Sequence, residues 1–161
     1  MAIVFKKRPG LVAYITCGDP DLDTSRAVAL AAIHAGAEVI ELGVPFSDPV
    51  ADGPVIQRAS ERALAHGTDL AGVIDVAGQV RQHSRAGLII FSYLNPILQF
   101  GREKFCQAAA NAGVDGVLVT DLPVEEAADY LRAVKAHKLA PIFLAAPTSP
   151  GLWVNRMDMK Q

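Results

Sequence analysis

The sequence predicts an α/β fold of the (β/α)8 TIM-barrel class, reduced to about five βα units, and three observations predict it. Short apolar runs alternate with amphipathic segments along the chain. Each run is almost continuously hydrophobic, as in the strands of a parallel sheet covered on both faces. Polar and acidic residues gather where the runs end, at Asp19, Glu41, Asp52, Asn95, Asp121 and Thr148, which is where such a barrel places its active site. Pattern alone separates a barrel only weakly from a doubly wound sheet, but no GxGxxG turn follows the first run.

The first strand is expected over residues 11–17 (LVAYITC), ended by Gly18-Asp19-Pro20. Asp23, Thr24 and Ser25 offer caps to a helix over 25–37, closed by Gly36. The second strand is EVIELGV, residues 38–44, followed by a proline-rich loop and helices over 55–67 and 69–84. GLIIFSY (87–93), REKFCQAAANAG (102–113), GVLVTD (116–121), PVEEAADYLRAVKAHK (123–138) and APIFLAA (140–146) follow as strand, helix, strand, helix and strand. A closed barrel of this kind needs eight strands and about 250 residues; 161 residues supply five apolar runs. Residues 1–150 therefore read as one partial barrel domain. Residues 151–161 (GLWVNRMDMKQ), without an apolar stripe or capping signal, read as a non-native tail.

Half of the residues are apolar, enough for a real core, and the formal net charge is −2 with the basic residues scattered. That pattern excludes the electrostatic footprint of a nucleic-acid or anionic-membrane binder and points to a small-molecule or protein partner. No apolar run reaches the roughly 18 residues of a membrane span, and the start carries no signal peptide, so a cytoplasmic protein is expected. Cys17 and Cys106 lie far apart in apolar stretches, with no CxxC and no histidine at ligand spacing, so buried reduced thiols and no metal site are expected. His34, His66, His83 and His137 all fall at helix ends, where an imidazole complements the dipole and the last carbonyls, and none is assigned a catalytic role.

Glu41 stands between Ile40 and Leu42 in an apolar strand. An ionised carboxylate taken out of water costs several kcal/mol unless it is paired, so this residue needs a partner or a purpose; a strand-end glutamate reaching solvent or an arginine is the plain alternative. The loop PFSDPVADGP, residues 45–54, is stiffened by Pro45, Pro49 and Pro54 and carries Asp48 and Asp52. Asp52-Gly53 ahead of Pro54 is also what ordinary turn and helix-start chemistry looks like.

The stretch IELGVPFSDPVADGPVIQRA, residues 40–59, resembles the signature of the tryptophan synthase α subunit, and the resemblance extends to AYITCGDPD, SYLNPILQFG, GVDGVLVTDLPVEEA and APIFLAAPTSP, covering about residues 11–150. It implies that Glu41 and Asp52 are the acid–base pair for retro-aldol cleavage of indole-3-glycerol phosphate to indole and glyceraldehyde 3-phosphate. The cleavage needs indole C3 protonated, the side-chain hydroxyl deprotonated and the indole N–H stabilised. A glutamate whose pKa is shifted towards neutrality suits the first two tasks, and an ionised aspartate the third. The resemblance further implies that Tyr14 lies against the indole, with Phe91 and Tyr93 at apolar pocket positions, although core packing is the commoner fate of strand aromatics. It implies a β subunit that meets Pro45, Phe46, Asp48, Pro49 and Asn95. No cofactor is expected in this chain, pyridoxal phosphate belonging to the β subunit.

The chain departs from the family in lacking the loops after strands seven and eight that grip the substrate phosphate, the loop after strand six, and most of the helix before strand one. Low or no turnover by this chain alone is therefore expected, because remote binding energy positions the reacting bond. Self-association through uncovered strand edges is expected as well. Three other readings stay open: a non-catalytic fragment that binds a β subunit, another phosphate-binding barrel enzyme, and a truncated or mis-assembled reading frame with no cellular role.

Overall fold

The computed structural model describes residues 9–144; Thr148 and the expected tail at 151–161 lie outside the described residues. The elements run β1 (Val12–Thr16), α1 (Leu22–His34), β2 (Val39–Gly43), α2 (Pro54–Ala65), α3 (Leu70–His83), β3 (Gly87–Ser92), α4 (Leu94–Phe100), α5 (Arg102–Asn111), β4 (Gly116–Val119), α6 (Ala128–Ala136) and β5 (Ala140–Ile142). The five strands form one sheet in the order β1-β2-β3-β4-β5, every pair parallel. A doubly wound sheet reverses its order at a switch point. Here each crossover advances one strand in the same direction, as it does around a barrel wall.

Side chains alternate between the two faces of a strand, and the alternation divides the apolar residues into two cores. Ile40, Leu42, Leu88, Ile90 and Val117 point to the helix side and pack with Val73, Val80, Phe105 and Val134 from the helices. Val39, Ile89 and Leu118 form the smaller cluster on the opposite face, with Phe91 and Ile142 against it. Both faces of the sheet thus carry apolar side chains, which is why the strands read as unbroken hydrophobic runs. β1 and β5 are the edges of the described sheet, and Leu11, Val12 and Leu144 nearby are 55%, 41% and 57% exposed.

Several boundaries move from their expected places. Helix α1 starts at Leu22 rather than Ser25, because Asp21 is extended and its carboxylate accepts from the Thr24 N–H at 2.6 Å. Ser25 is buried inside α1, where its hydroxyl accepts from Gly18 N and donates to Asp21 O. Asp69, by contrast, caps α3 as its position suggests, accepting from Gly72 N at 2.9 Å. Helix α6 begins only at Ala128, after hydrogen-bonded turns from Glu126 N to Pro123 O and Ala127 N to Val124 O. Helix α4 was not expected at all, since Pro96 breaks its pattern; the proline sits in the first turn, where the missing N–H has no helical acceptor to lose. Each of the four histidines bonds through Nδ1 to the carbonyl four residues earlier, at 2.8–3.0 Å. That is a helix-end contact in every case.

Asp19, in the turn after β1, takes a bidentate hydrogen bond from Arg62 of α2, at 2.8 and 2.7 Å. The guanidinium holds the Asp19 carboxyl below its ordinary range. A depressed carboxylate stabilises the fold above its unfolded pKa, about 3.9, and the contribution is lost as pH falls through the folded value. Asp19→Asn is therefore expected to be less stable than the parent at neutral pH, with the gap closing in acid. Arg62 is exposed, so the effect is small; pH-dependent thermal unfolding of the two chains measures it.

Candidate active site

Glu41 is the central residue of β2, in register with Tyr14 on β1 and Ile89 on β3. Its neighbours Ile40 and Leu42 turn to the helix layer, so alternation puts its side chain on the other face, above the Val39, Ile89 and Leu118 cluster. It is half-buried and has no hydrogen-bond or ion-pair partner among the described residues. Among the described residues no arginine pairs with it, and it is not fully solvated. Burial pushes its carboxyl pKa above the ordinary glutamate range, the direction that lets a carboxylic acid keep and release a proton nearer neutrality.

Tyr14 and Phe91 share that face. Their rings meet edge to face, 5.1 Å between centroids at 74°, across β2 at Gly43, whose register partners are Thr16 and Phe91. The close approach depends on the glycine: a Cβ there would lie 2.3 Å from Tyr14 Oη. Burial pushes the Tyr14 phenol up to about 12, helped by the negative charge of nearby Asp52 and opposed by a long contact to Thr16 Oγ1. Gly43→Ala is expected to force Tyr14 off Phe91 and to cost about 1–3 kcal/mol, as overpacking does. Tyrosine titration would show the phenol falling back towards 10; an unchanged profile with unchanged stability contradicts the close approach.

The loop between β2 and α2 brings Asp52 to the same end of the sheet. Gly53, not Asp52, occupies the cap position of α2 and makes no side-chain cap bond, with Pro54 at the first turn. The Asp52 carboxylate instead accepts from Tyr93 Oη at 3.1 Å, and the Asp52 carbonyl accepts from Gln57 Nε2 at 2.9 Å. The Asp52 N–H also donates to Pro49 O at 3.1 Å, so the residue takes part in the turn as well as in this contact 41 residues away in sequence. Tyr93 lies one residue beyond β3, as the cap residue of α4, rather than within the strand. Its ring is 2% exposed and tilted against Phe46 at 5.1 Å. Tyr93 is therefore packed beneath the loop, with its hydroxyl turned to Asp52.

Pro45, Phe46 and Asn95 border one cleft of about 440 Å³ between this loop, the α2–α3 turn and α4. Asp48 and Pro49 border an adjoining hollow with Val50, which is 85% exposed; Asp48 accepts from Ser47 Oγ at 3.0 Å. The five residues expected at a partner surface therefore form one continuous stretch of the strand-end rim. Gly43, Gln57 and Asp121 were missed as contributors. Asp121 carried a signal as a strand-end acid, but its contact, accepting from Leu94 N at 2.7 Å, belongs to the unexpected α4. Gln57 carried none. Cys17 and Cys106 are buried, with thiols raised to about 12 and about 11 by desolvation.

Among known families, the tryptophan synthase α chain model matches residues 2–158. The chain belongs to the tryptophan synthase α chain family. The α chain of Coxiella burnetii strain CbuK_Q154 is 54% identical over 145 residues, covering 90% of this chain and 56% of that protein. The α chain of Solibacter usitatus is 51% identical over 144 residues, covering 89% of this chain and 54% of the relative. The crystal structure of the tryptophan synthase α subunit from Legionella pneumophila strain Paris superposes with a TM-score of 0.88 at 44% identity, over 91% of this chain and 56% of that one. The fold is thus that of tryptophan synthase α barrels, of which the chain spans about half the length.

Proposed function

We propose that this chain carries the acid–base pair of a carbon–carbon lyase that cleaves indole-3-glycerol phosphate to indole and glyceraldehyde 3-phosphate, with Glu41 and Asp52 in those roles. The observation that carries the proposal is Glu41 itself, half-buried and without a partner among the described residues, on the sheet face that carries Tyr14 and Phe91, with its pKa raised by burial. A glutamate in that state delivers a proton to indole C3 and takes one from the side-chain hydroxyl as the carbon–carbon bond breaks. Asp52, held at the rim of the same face, accepts from the indole N–H as charge develops on the ring. Tyr14 and Phe91, edge to face at 74°, supply the apolar aromatic surface against which an indole packs.

The rim of Pro45, Phe46, Asp48, Pro49 and Asn95 is the surface proposed for a β subunit. The cleft beside Phe46 and the proline-stiffened loop support that reading, as a preformed surface binds at low ordering cost. No cofactor is assigned to this chain. Among the described residues no helix is long and apolar enough to cross a membrane; a cytoplasmic location is part of the proposal. The exposed residues at the sheet edges support the self-association expected from the sequence.

The test is indole release from indole-3-glycerol phosphate by the parent chain, by Glu41→Gln and by each in the presence of a β subunit. Slow release that disappears in Glu41→Gln supports the lyase reading. Release that survives the substitution unchanged removes it, and binding to the β subunit without any release leaves the non-catalytic partner reading in its place.

A further inference from the structure

We propose that Tyr93 is the positioning residue of Asp52, acting through its hydroxyl on the acidic loop rather than through its ring on a ligand; the proposal rests on Asp52 serving the lyase reaction above. The residue is 2% exposed, with Phe46 packed against its ring. The hydroxyl is used twice on consecutive residues of the loop: it accepts from the Ala51 N–H at 2.9 Å and donates to Asp52 Oδ2 at 3.1 Å. One oxygen of the Asp52 carboxylate is held in this way, while Oδ1 has no hydrogen-bond partner among the described residues. A carboxylate fixed by one oxygen and open at the other is oriented to receive a donor.

The support behind Tyr93 is itself rigid. Its backbone caps α4, and the next N–H, that of Leu94, donates to Asp121 Oδ1 at 2.7 Å. Phe46 packs on the ring from the loop side at 5.1 Å. The loop after β2 meets the phenol of Tyr93, and the loop after β4 holds the backbone next to it at Leu94. Burial raises the Tyr93 pKa, so the hydroxyl remains protonated and able to donate at neutral pH. Without it the aspartate keeps its chemistry but loses its aim, and a misplacement of about 1 Å at a reacting group costs on the order of 10²-fold in rate.

Tyr93→Phe keeps the ring and removes both hydrogen bonds, which makes it the test. In the 161-residue chain, amide exchange at Ala51 is expected to accelerate about tenfold or more, while amides of β2 and β3 keep their protection. In the indole-release assay kcat is expected to fall about tenfold or more with KM changed less than about threefold, the pattern of a lost transition-state interaction. In an Asp52→Asn background the same substitution is expected to cause little further loss, because coupled groups are not additive. Unchanged Ala51 exchange overturns the proposal. So does a uniform rise in exchange across the sheet with kcat intact, and so does full additivity with Asp52→Asn. The lyase reading fails separately, through Glu41→Gln, and Ala51 exchange still decides whether Tyr93 holds the loop.

Discussion

Glu41→Gln is expected to reduce indole release to background and, in the same protein, to raise stability at neutral pH. A positioned acid–base group contributes typically about 10²–10⁴-fold to a rate. Glutamine keeps the shape of glutamate but neither gives nor takes a proton at working pH. The gain in stability follows from the same burial. Because the folded pKa of Glu41 lies above its unfolded value of about 4.3, the folded chain binds more protons than the unfolded one between those values. Stability is therefore lost as pH rises through that window, and above it the ionised carboxylate, without a partner among the described residues, is a standing penalty. Glutamine is free of it. Denaturation midpoints of the two chains should coincide below about pH 4 and diverge above it, with the glutamine chain the more stable. A parent that is the more stable at pH 7 would mean that Glu41 has a stabilising partner, which the site does not contain among the described residues.

Arg81→Ala is expected to cause the largest loss of stability among the substitutions considered, about 2–3 kcal/mol, somewhat below the 3–5 kcal/mol typical of breaking a fully buried pair. Arg81 leaves α3 and donates Nε to Gly113 O at 2.9 Å, one terminal nitrogen to Ser84 O and Ala86 O, and the other to Asp115 Oδ2 at 2.6 Å. Asp115 in turn accepts from the Leu88 N–H at 2.9 Å. One guanidinium thus joins α3, the segment into β3 and the turn into β4, at the end of the sheet opposite the site. The pair is 26% and 16% exposed, shielded enough for its hydrogen bonds to count. Alanine favours the helix, so the loss is not a propensity effect. Urea unfolding should show a lowered midpoint with an unchanged slope. Arg81→Lys should recover little, since an ammonium lacks the planar fork that reaches these acceptors together. Activity per folded molecule is expected to survive, in contrast to Glu41→Gln, and an unaltered midpoint in Arg81→Ala would show that the network contributes nothing measurable.

The two substitutions mark opposite ends of the same strands, and their legibility differs for the same reason. Glu41 could be singled out from sequence because a charge inside VIELG conflicts with its neighbours, and burial must either answer or exploit that conflict. Arg81 sits in the last turn of a helix, where basic residues are ordinary; nothing local connects it to Asp115, 34 residues away. Asp52 is the intermediate case. Its loop is conspicuous, but its local context favours turn chemistry, and only the hydroxyl of Tyr93 shows that the carboxylate is used elsewhere. For Tyr93 the family resemblance implies an apolar pocket position, against core packing as the commoner fate of a strand aromatic. The chain turns into α4 there instead, which buries the ring and leaves the hydroxyl facing the loop.

The sequence by itself determined the repeating βα order, the parallel sheet and the anomaly of Glu41 as a charge that needs a partner or a purpose, because these depend on hydrophobic period and on the local cost of burying charge. The tertiary structure alone decided the one-directional strand order, the division of the strands into a helix-side core and an inner face, and which hydroxyl holds Asp52. Those depend on groups brought together from distant parts of the chain, and no local pattern encodes which partner a hydrogen-bonding side chain meets across the fold. Around Glu41 the two sources meet: the strand pattern requires an explanation for the charge, and the fold sets it on the face of Tyr14 and Phe91 with no counter-ion among the described residues.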